Sequence, residues 1–211
     1  MKRLKSPIII MRKKSFYAVA LFTVMALGVN GQEMDGHEYV DLGLSVVWAT
    51  CNVGANSPEE CGDYYAWGEE STKSSFTTDN CKTWIPDGGE DIVDAFRDPL
   101  VSWGGKWRMP SEDEFRELID SCTWTWTTKD RQNGYNVTSN KNGKSIFLPA
   151  AGRRDGESLF DDGEYGYYWS NSLWISMKNA YCLHFSRERH FMRYHYRLYN
   201  GFSVRGVAAL E

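Results

Sequence analysis

Residues 187–200 read RERHFMRYHYRLYN. Between Ser186 and Asn200 the chain gathers four arginines (Arg187, Arg189, Arg193, Arg197), two histidines (His190, His195) and three tyrosines (Tyr194, Tyr196, Tyr199) against one acid, Glu188. Guanidinium groups present a fixed fork of donors to carboxylates, phosphates and carbonyls. Tyrosine rings add contact area with a polar tip and lose little entropy when fixed. A core strand does not want that many polar tips, and a disordered tail does not want that many rings. The run therefore reads as a ligand-binding surface, bordered by Trp174 in the 172–178 loop. The bland alternative is a strand whose tyrosines and arginine stems cover a sheet while the guanidinium groups are merely solvated.

Other chemistry is poorly served. The late histidines, His184, His190 and His195, are six and five residues apart, unlike a helical i, i+4 ligand pair, so only a β-rich site could gather them around a metal. The sequence contains no Gly-x-Ser-x-Gly elbow, no P-loop and no Gly-x-Gly-x-x-Gly after a strand. The acidic pairs Asp161-Asp162 and Glu59-Glu60 read as solvated loops, and the segment Asp87 to Asp91 departs from EF-hand spacing. The expectation is a non-enzyme with no catalytic residue, metal or cofactor.

The five cysteines, Cys51, Cys61, Cys81, Cys122 and Cys182, form no CxxC pair. Neither a zinc ribbon nor thioredoxin chemistry is indicated. Two bridges and a spare thiol could be arranged in fifteen ways, and sequence does not choose among them.

Residues 1–31 look like an address. A basic start at Met11-Arg12-Lys13-Lys14, an apolar stretch from Phe16 to Val29 and a small-residue cleavage site at Val29-Asn30-Gly31 describe a signal peptide, with Gln32 beginning the mature chain. The chain is then exported, to the cell surface, periplasm or extracellular space, and is not an integral membrane protein once the signal is gone. Residues 1–31 hold six of the 24 basic residues and no acid, which leaves 18 basic against 28 acidic residues in 32–211, a net of −10. A general nucleic-acid binder would carry the opposite sign. About 180 residues suffice for one cored domain, so 32–211 is read as a single domain.

The elements that must position the run follow from pattern. In PSEDEFRELIDSC, Ser111 caps a helix, Glu114 reaches back to complete a capping box, and Phe115, Leu118, Ile119 and Cys122 share one face. A second helix is expected over DIVDAFRD, 91–98, capped by Asp91 and ended by Pro99. HEYVDLGLSVVWAT reads as a hairpin about Gly43, followed by a loop. WTWTTKD, GYNVTS and KSIFLPA read as strands joined by turns at Asn133-Gly134 and Asn142-Gly143. YYWSNS, AYCLHFS and GFSVRGV supply late strands, the last placing Phe202 and Val204 on one side. The fold class expected is α+β, two helices with a small antiparallel sheet and long loops.

Taken together, GHEYVDLGLSVVWATCNVGA, GDYYAWGE, WGGKWRMPSEDEFRELID, IFLPAAGRR, YGYYWSNS, AYCLHFS and GFSVRGV resemble, in this order across about residues 36–208, the Fibrobacter succinogenes major paralogous domain family. That family is similar to the formylglycine-generating-enzyme type of C-type-lectin-like fold. The resemblance implies that fold, with two helices and a small twisted sheet, in a secreted or surface protein. The generating enzyme uses a late cysteine pair and the related iron-dependent sulfoxide synthases a histidine triad; here only Cys182 lies among the last eighty residues.

Some lectin-fold proteins are targets of diversity-generating retroelements, which randomise adenines in a C-terminal repeat so that asparagine codons become Arg, His, Tyr, Leu, Phe or Ser. Arg187, Arg189, His190, Arg193, Tyr194, His195, Tyr196, Arg197, Leu198 and Tyr199 fit that menu, whereas Glu188 and Met192 do not and would be scaffold. The resemblance thus implies a variable surface recognising a glycan or another surface protein. Two readings from other classes stand beside it. One is a structural or assembly subunit of a surface layer or pilus tip, which would oligomerise; the other is a metal-dependent oxidase or synthase.

Overall fold

The computed structural model describes residues 32–84, 96–174 and 179–210, and of Tyr194 and His195 only the backbone. The address segment 1–31 lies outside these residues. Among them the chain is mostly β, with one α-helix and several small antiparallel sheets. No helix among them is long and apolar enough to cross a membrane.

Strands β1 (Gln32–Met34), β2 (His37–Val40) and β3 (Val47–Asn52) form an antiparallel sheet that β12 (Arg205–Ala208) joins beside β3, so the two ends of the described chain are the opposite edges of one sheet. The hairpin expected about Gly43 is there, with Tyr39 opposite Ala49 and Gly43 at a φ of 70° in the connection. β4 (Cys122–Lys129), β5 (Gln132–Ser139) and β6 (Ser145–Pro149) form a second sheet, and β7 (Arg153–Asp155) pairs β8 (Ser158–Phe160). β9 (Tyr165–Leu173), β10 (Asn179–Ser186) and β11 (Arg189–Arg197) form the third, in the order β11-β10-β9.

One of the two expected asparagine-glycine turns is misplaced. The β4–β5 reversal falls at Asp130 and Arg131, with φ of 43° and 72°, and Asn133-Gly134 lies inside β5. Gly134 serves a different purpose there: a Cβ on it would stand 2.3 Å from the Leu148 carbonyl oxygen across the sheet. Close backbone approach, not turn geometry, explains this glycine. Asn142-Gly143 does turn between β5 and β6, Gly143 having a φ of 73°.

The helix α1 (Glu112–Ser121) starts as its sequence dictates. Ser111 Oγ accepts from the Glu114 backbone N–H at 3.2 Å, and a Glu114 carboxylate oxygen accepts from the Ser111 N–H at 2.7 Å. Arg108 donates to the same carboxylate at 2.8 Å, tying the preceding loop to the first turn. Phe115 and Leu118 are fully buried. The second helix of the expected pair is not among the described residues: positions 91–95 of the candidate lie outside them, and 96–98 are not helical.

Two apolar clusters lie on opposite sides of the β9–β11 sheet. Tyr167 and Trp169 of β9 with Ala180 and Cys182 of β10 face one, which Phe202 and Val204 join. Tyr168, Leu183 and Phe185 face the other, with Phe115 and Leu118 of α1. A sheet covered on both faces explains why YYWS and AYCLHF are apolar throughout instead of alternating. GFSVRGV is likewise buried on both sides, as residues 200–208 all are, so its alternation about Phe202 and Val204 marks no solvent face.

Arg205 shows how strongly this segment is locked. Its side chain is fully buried and donates to Asn52 Oδ1 at 2.9 Å, to the Ala49 and Phe147 carbonyls at 2.9 Å and to the Thr50 carbonyl. One guanidinium thus joins β3, β6 and β12 without a carboxylate partner. Burial of the cation pushes its pKa down, and the fork of donors offsets the desolvation only because each meets a fixed oxygen. All five cysteines are free thiols.

Candidate functional site

The run 187–200 forms the turn after β10, the strand β11 and the link to the buried 200–208 segment. Its alternation sends successive side chains of β11 to the two faces of the sheet, each of which carries core packing, while the residues at the β10–β11 turn stay exposed. Register pairs Phe185 with His190 and His184 with Phe191, so His190 and Met192 share the face of Phe185, and Phe191 and Arg193 that of His184.

On the first face His190 lies flat on Trp124, ring centroids 4.4 Å apart at 9°, with Tyr135 edge-on at 5.6 Å. Its Nδ1 is buried without a partner, and burial lowers its pKa. On the second face Arg193 donates to the Tyr196 hydroxyl at 3.2 Å and sits 5.3 Å over the same ring. Tyr196 stands edge-on to Tyr167 and Phe202 at 5.2 and 5.1 Å, and burial raises its pKa. Tyr167 in turn donates to Asp161 at 2.8 Å, which also takes a hydrogen bond from Arg153 at 3.3 Å.

His184, 3% exposed, is the floor of this second face. It packs against Tyr167 at 4.8 Å and Phe191 at 5.2 Å, and its Nδ1 has no partner. Burial, and then the nearby cations Arg193 and Arg189, hold its pKa down to about 4. His184 is therefore neutral near pH 7, and because His184 and His190 project to opposite faces they do not gather around a metal. Among the described residues no cluster of three or more His, Cys, Asp or Glu side chains is placed to hold one.

The exposed residues are polar. Arg187 and Arg189 are exposed, the second with its guanidinium 5.5 Å over the Phe191 ring. At the far end Arg197, also exposed, lies 5.6 Å over the Trp84 ring, against which Tyr199 stands edge-on at 5.4 Å. Leu198 is fully buried and cannot contact a ligand. Trp174 is half-buried, edge-on to Tyr181 at 5.4 Å. The side chains of Tyr194 and His195 lie outside the described set, as do residues 175–178 of the bordering loop.

The run thus does not act as one surface. Arg187, Glu188 and Arg189 instead share a cleft of about 370 Å³ with Trp126, Asn133, Glu164 and Tyr165. The last four were not anticipated from sequence. Trp126 comes from the WTWT alternation of β4, which puts Trp124 and Trp126 on one face, both ringed by Tyr135 and Phe185. Tyr165 and Glu164 arrive from the start of β9 because β9 pairs with β10, Tyr165 opposite Ser186. The cleft carries two guanidinium groups, two carboxylates and two large rings, and its size admits one or two sugar rings or a few side chains. It can donate, accept and stack, but no nucleophile with an adjoining base lines it.

No family model, curated protein or solved structure matches this chain.

Proposed function

We propose that this chain is an exported or cell-surface recognition module of the C-type-lectin-like kind, without catalytic activity, whose C-terminal hairpin meets a glycan or a protein on another surface. The observation that carries the reading is the cleft at the β10–β11 turn. Arg187 and Arg189 stand in it without a carboxylate partner among the described residues, beside the half-buried rings of Trp126 and Tyr165. Exposed guanidinium groups and rings held on a rigid sheet are what a binding surface needs: directional donors, stacking area and little ordering cost on binding. The ends of that sheet are fixed by buried aromatic packing, so the residues at the turn can vary without disturbing the core. This separation of a locked scaffold from an exposed hairpin turn also suits the retroelement-diversified surface that the sequence resemblance implies, although Tyr196 and His190 fall on the locked side.

The test is a screen of the purified chain against glycans and bacterial surface proteins beside an Arg187→Ser/Arg189→Ser variant. A ligand held by the native chain and weakened at least tenfold in a variant of unchanged thermal stability supports the reading. Ligand binding that ignores both substitutions moves the site elsewhere.

A further inference from the structure

The two outer strands of the β11-β10-β9 sheet are treated differently by the rest of the chain. The outer edge of β9 is occupied. Gly152 donates to the Tyr165 carbonyl at 2.8 Å, Trp169 to Ser203 and Ser203 to Tyr167 at 3.1 Å, and Asn171 to Pro110 at 2.9 Å. Among the described residues, the outer edge of β11 has no such bonds over Arg189–Arg193, whose backbone bonds to β10 alone. That stretch holds no proline, and the register shift that bends this strand pair comes only later, between the Cys182–Arg193 and Ala180–Tyr196 pairs. Long unprotected edges are templates for another strand.

Charge says which strand. The chain as a whole is acidic, yet Arg187, Arg189, Arg193 and Arg197 all lack a carboxylate partner among the described residues. Elsewhere among those residues, Arg108, Arg116 and Arg153 each meet one, and Arg131, Arg154 and Arg205, which do not, are scattered, so only this strand and its turn gather four such cations. Arg189, Phe191 and Arg193 fall on one side of β11, while His190 and Met192 face the core. A second copy of this edge is a poor occupant: antiparallel pairing about Phe191 would set Arg189 of each copy against Arg193 of the other, and like charges directly opposite are destabilising.

We propose that the β11 edge accepts an extended acidic peptide segment of a partner protein as a fourth strand, its backbone bonding to Arg189–Arg193, two acidic side chains meeting Arg189 and Arg193, and an apolar side chain between them meeting Phe191. The proposal rests on the reading of the C-terminal hairpin as a recognition surface and names the chemistry of its partner. Main-chain bonding supplies affinity and alternate side chains supply specificity in such strand addition.

The experiment uses the full chain and three fluorescein-labelled peptides: Thr-Glu-Thr-Val-Thr-Glu-Thr, the same peptide with glutamine for each glutamate, and the same with proline for each threonine. Anisotropy should show the acidic peptide binding, the glutamine peptide roughly tenfold weaker and the proline peptide not at all. Amide exchange should slow at Arg189–Arg193 when the acidic peptide is added. Arg187→Ser/Arg189→Ser, whose side chains are exposed, should weaken the acidic peptide without loss of fold. Equal binding of the proline peptide would leave charge alone and overturn strand addition. No peptide binding from a chain that retains a glycan in the screen above would overturn this inference and leave the recognition surface standing; no binding of any kind would sink both. A dimer with protected β11 amides would show a second copy on the edge and equally overturn the proposal.

Discussion

Tyr196 of the arginine- and tyrosine-rich run stands edge-on to Tyr167 at 5.2 Å and 88°, between that ring and Phe202. Packing of this kind belongs to a core, even though the sequence around it reads as a surface. Tyr196→Ala should cost about 2–4 kcal/mol of stability through lost packing and a lost ring pair. Arg189→Ser, exposed and without an acid partner, should stay within about 0.5 kcal/mol. Denaturant titration of the two variants checks this, and equal stabilities would mean that Tyr196 is not held in the core.

The neutral His184 makes stability fall with acid. Its pKa of about 4 in the folded chain, against an ordinary value of 6.5, means that the unfolded chain binds more protons between those values. Its contribution is complete above about pH 6.5 and disappears as the pH drops through 4, with an upper size on the order of 3 kcal/mol. Comparing His184→Gln with the native chain from pH 7 to pH 4 isolates it: the native curve should drop more steeply. Parallel curves would place His184 in water.

Arg205→Met should destabilise by about 3–5 kcal/mol. The methionine fills part of the space but leaves Asn52 and the carbonyls of Ala49, Thr50 and Phe147 without their donor. Arg205→Lys should rescue little of this loss, because one ammonium cannot reach four oxygens spread over β3 and β6. Thermal melts distinguish the outcomes; a fully stable lysine variant would show that charge alone suffices.

The cap of α1 offers a smaller effect. Ser111→Ala removes the acceptor for the Glu114 N–H and should cost about 1 kcal/mol, whereas Phe115→Ala, at a fully buried position, should cost about 3–5 kcal/mol. Chemical denaturation of both variants tests the order of these two effects.

Thiol labelling should follow burial. Cys182 lies fully buried and its pKa is pushed up by that burial, so it should resist alkylation in the native chain. Cys51 and Cys61 are partly exposed and should label first, counted by mass spectrometry before and after unfolding. Rapid native labelling of Cys182 would show that the β9–β11 sheet opens.

Local chemistry was legible in the sequence where it acts over a few residues. Ser111 and Glu114 are three apart, so a capping box needs only the chain itself, and the WTWT alternation fixes the strand period of β4. The cleft was not legible, because its walls come from β4, β5, β9 and the β10–β11 turn, brought together by Tyr135, Phe185, Trp124, Trp126 and His190 packing between two sheets. Nor could composition tell Arg187 from Tyr196, or His190 from Arg189. A strand turns successive side chains to opposite faces, and which face meets the core depends on what the rest of the chain lays against it. The sequence by itself determined the helix start, the strand-rich second half and a dense arginine–tyrosine run; tertiary packing alone decided that part of that run is scaffold and part is exposed, and that the backbone edge of β11 is unpaired among the described residues.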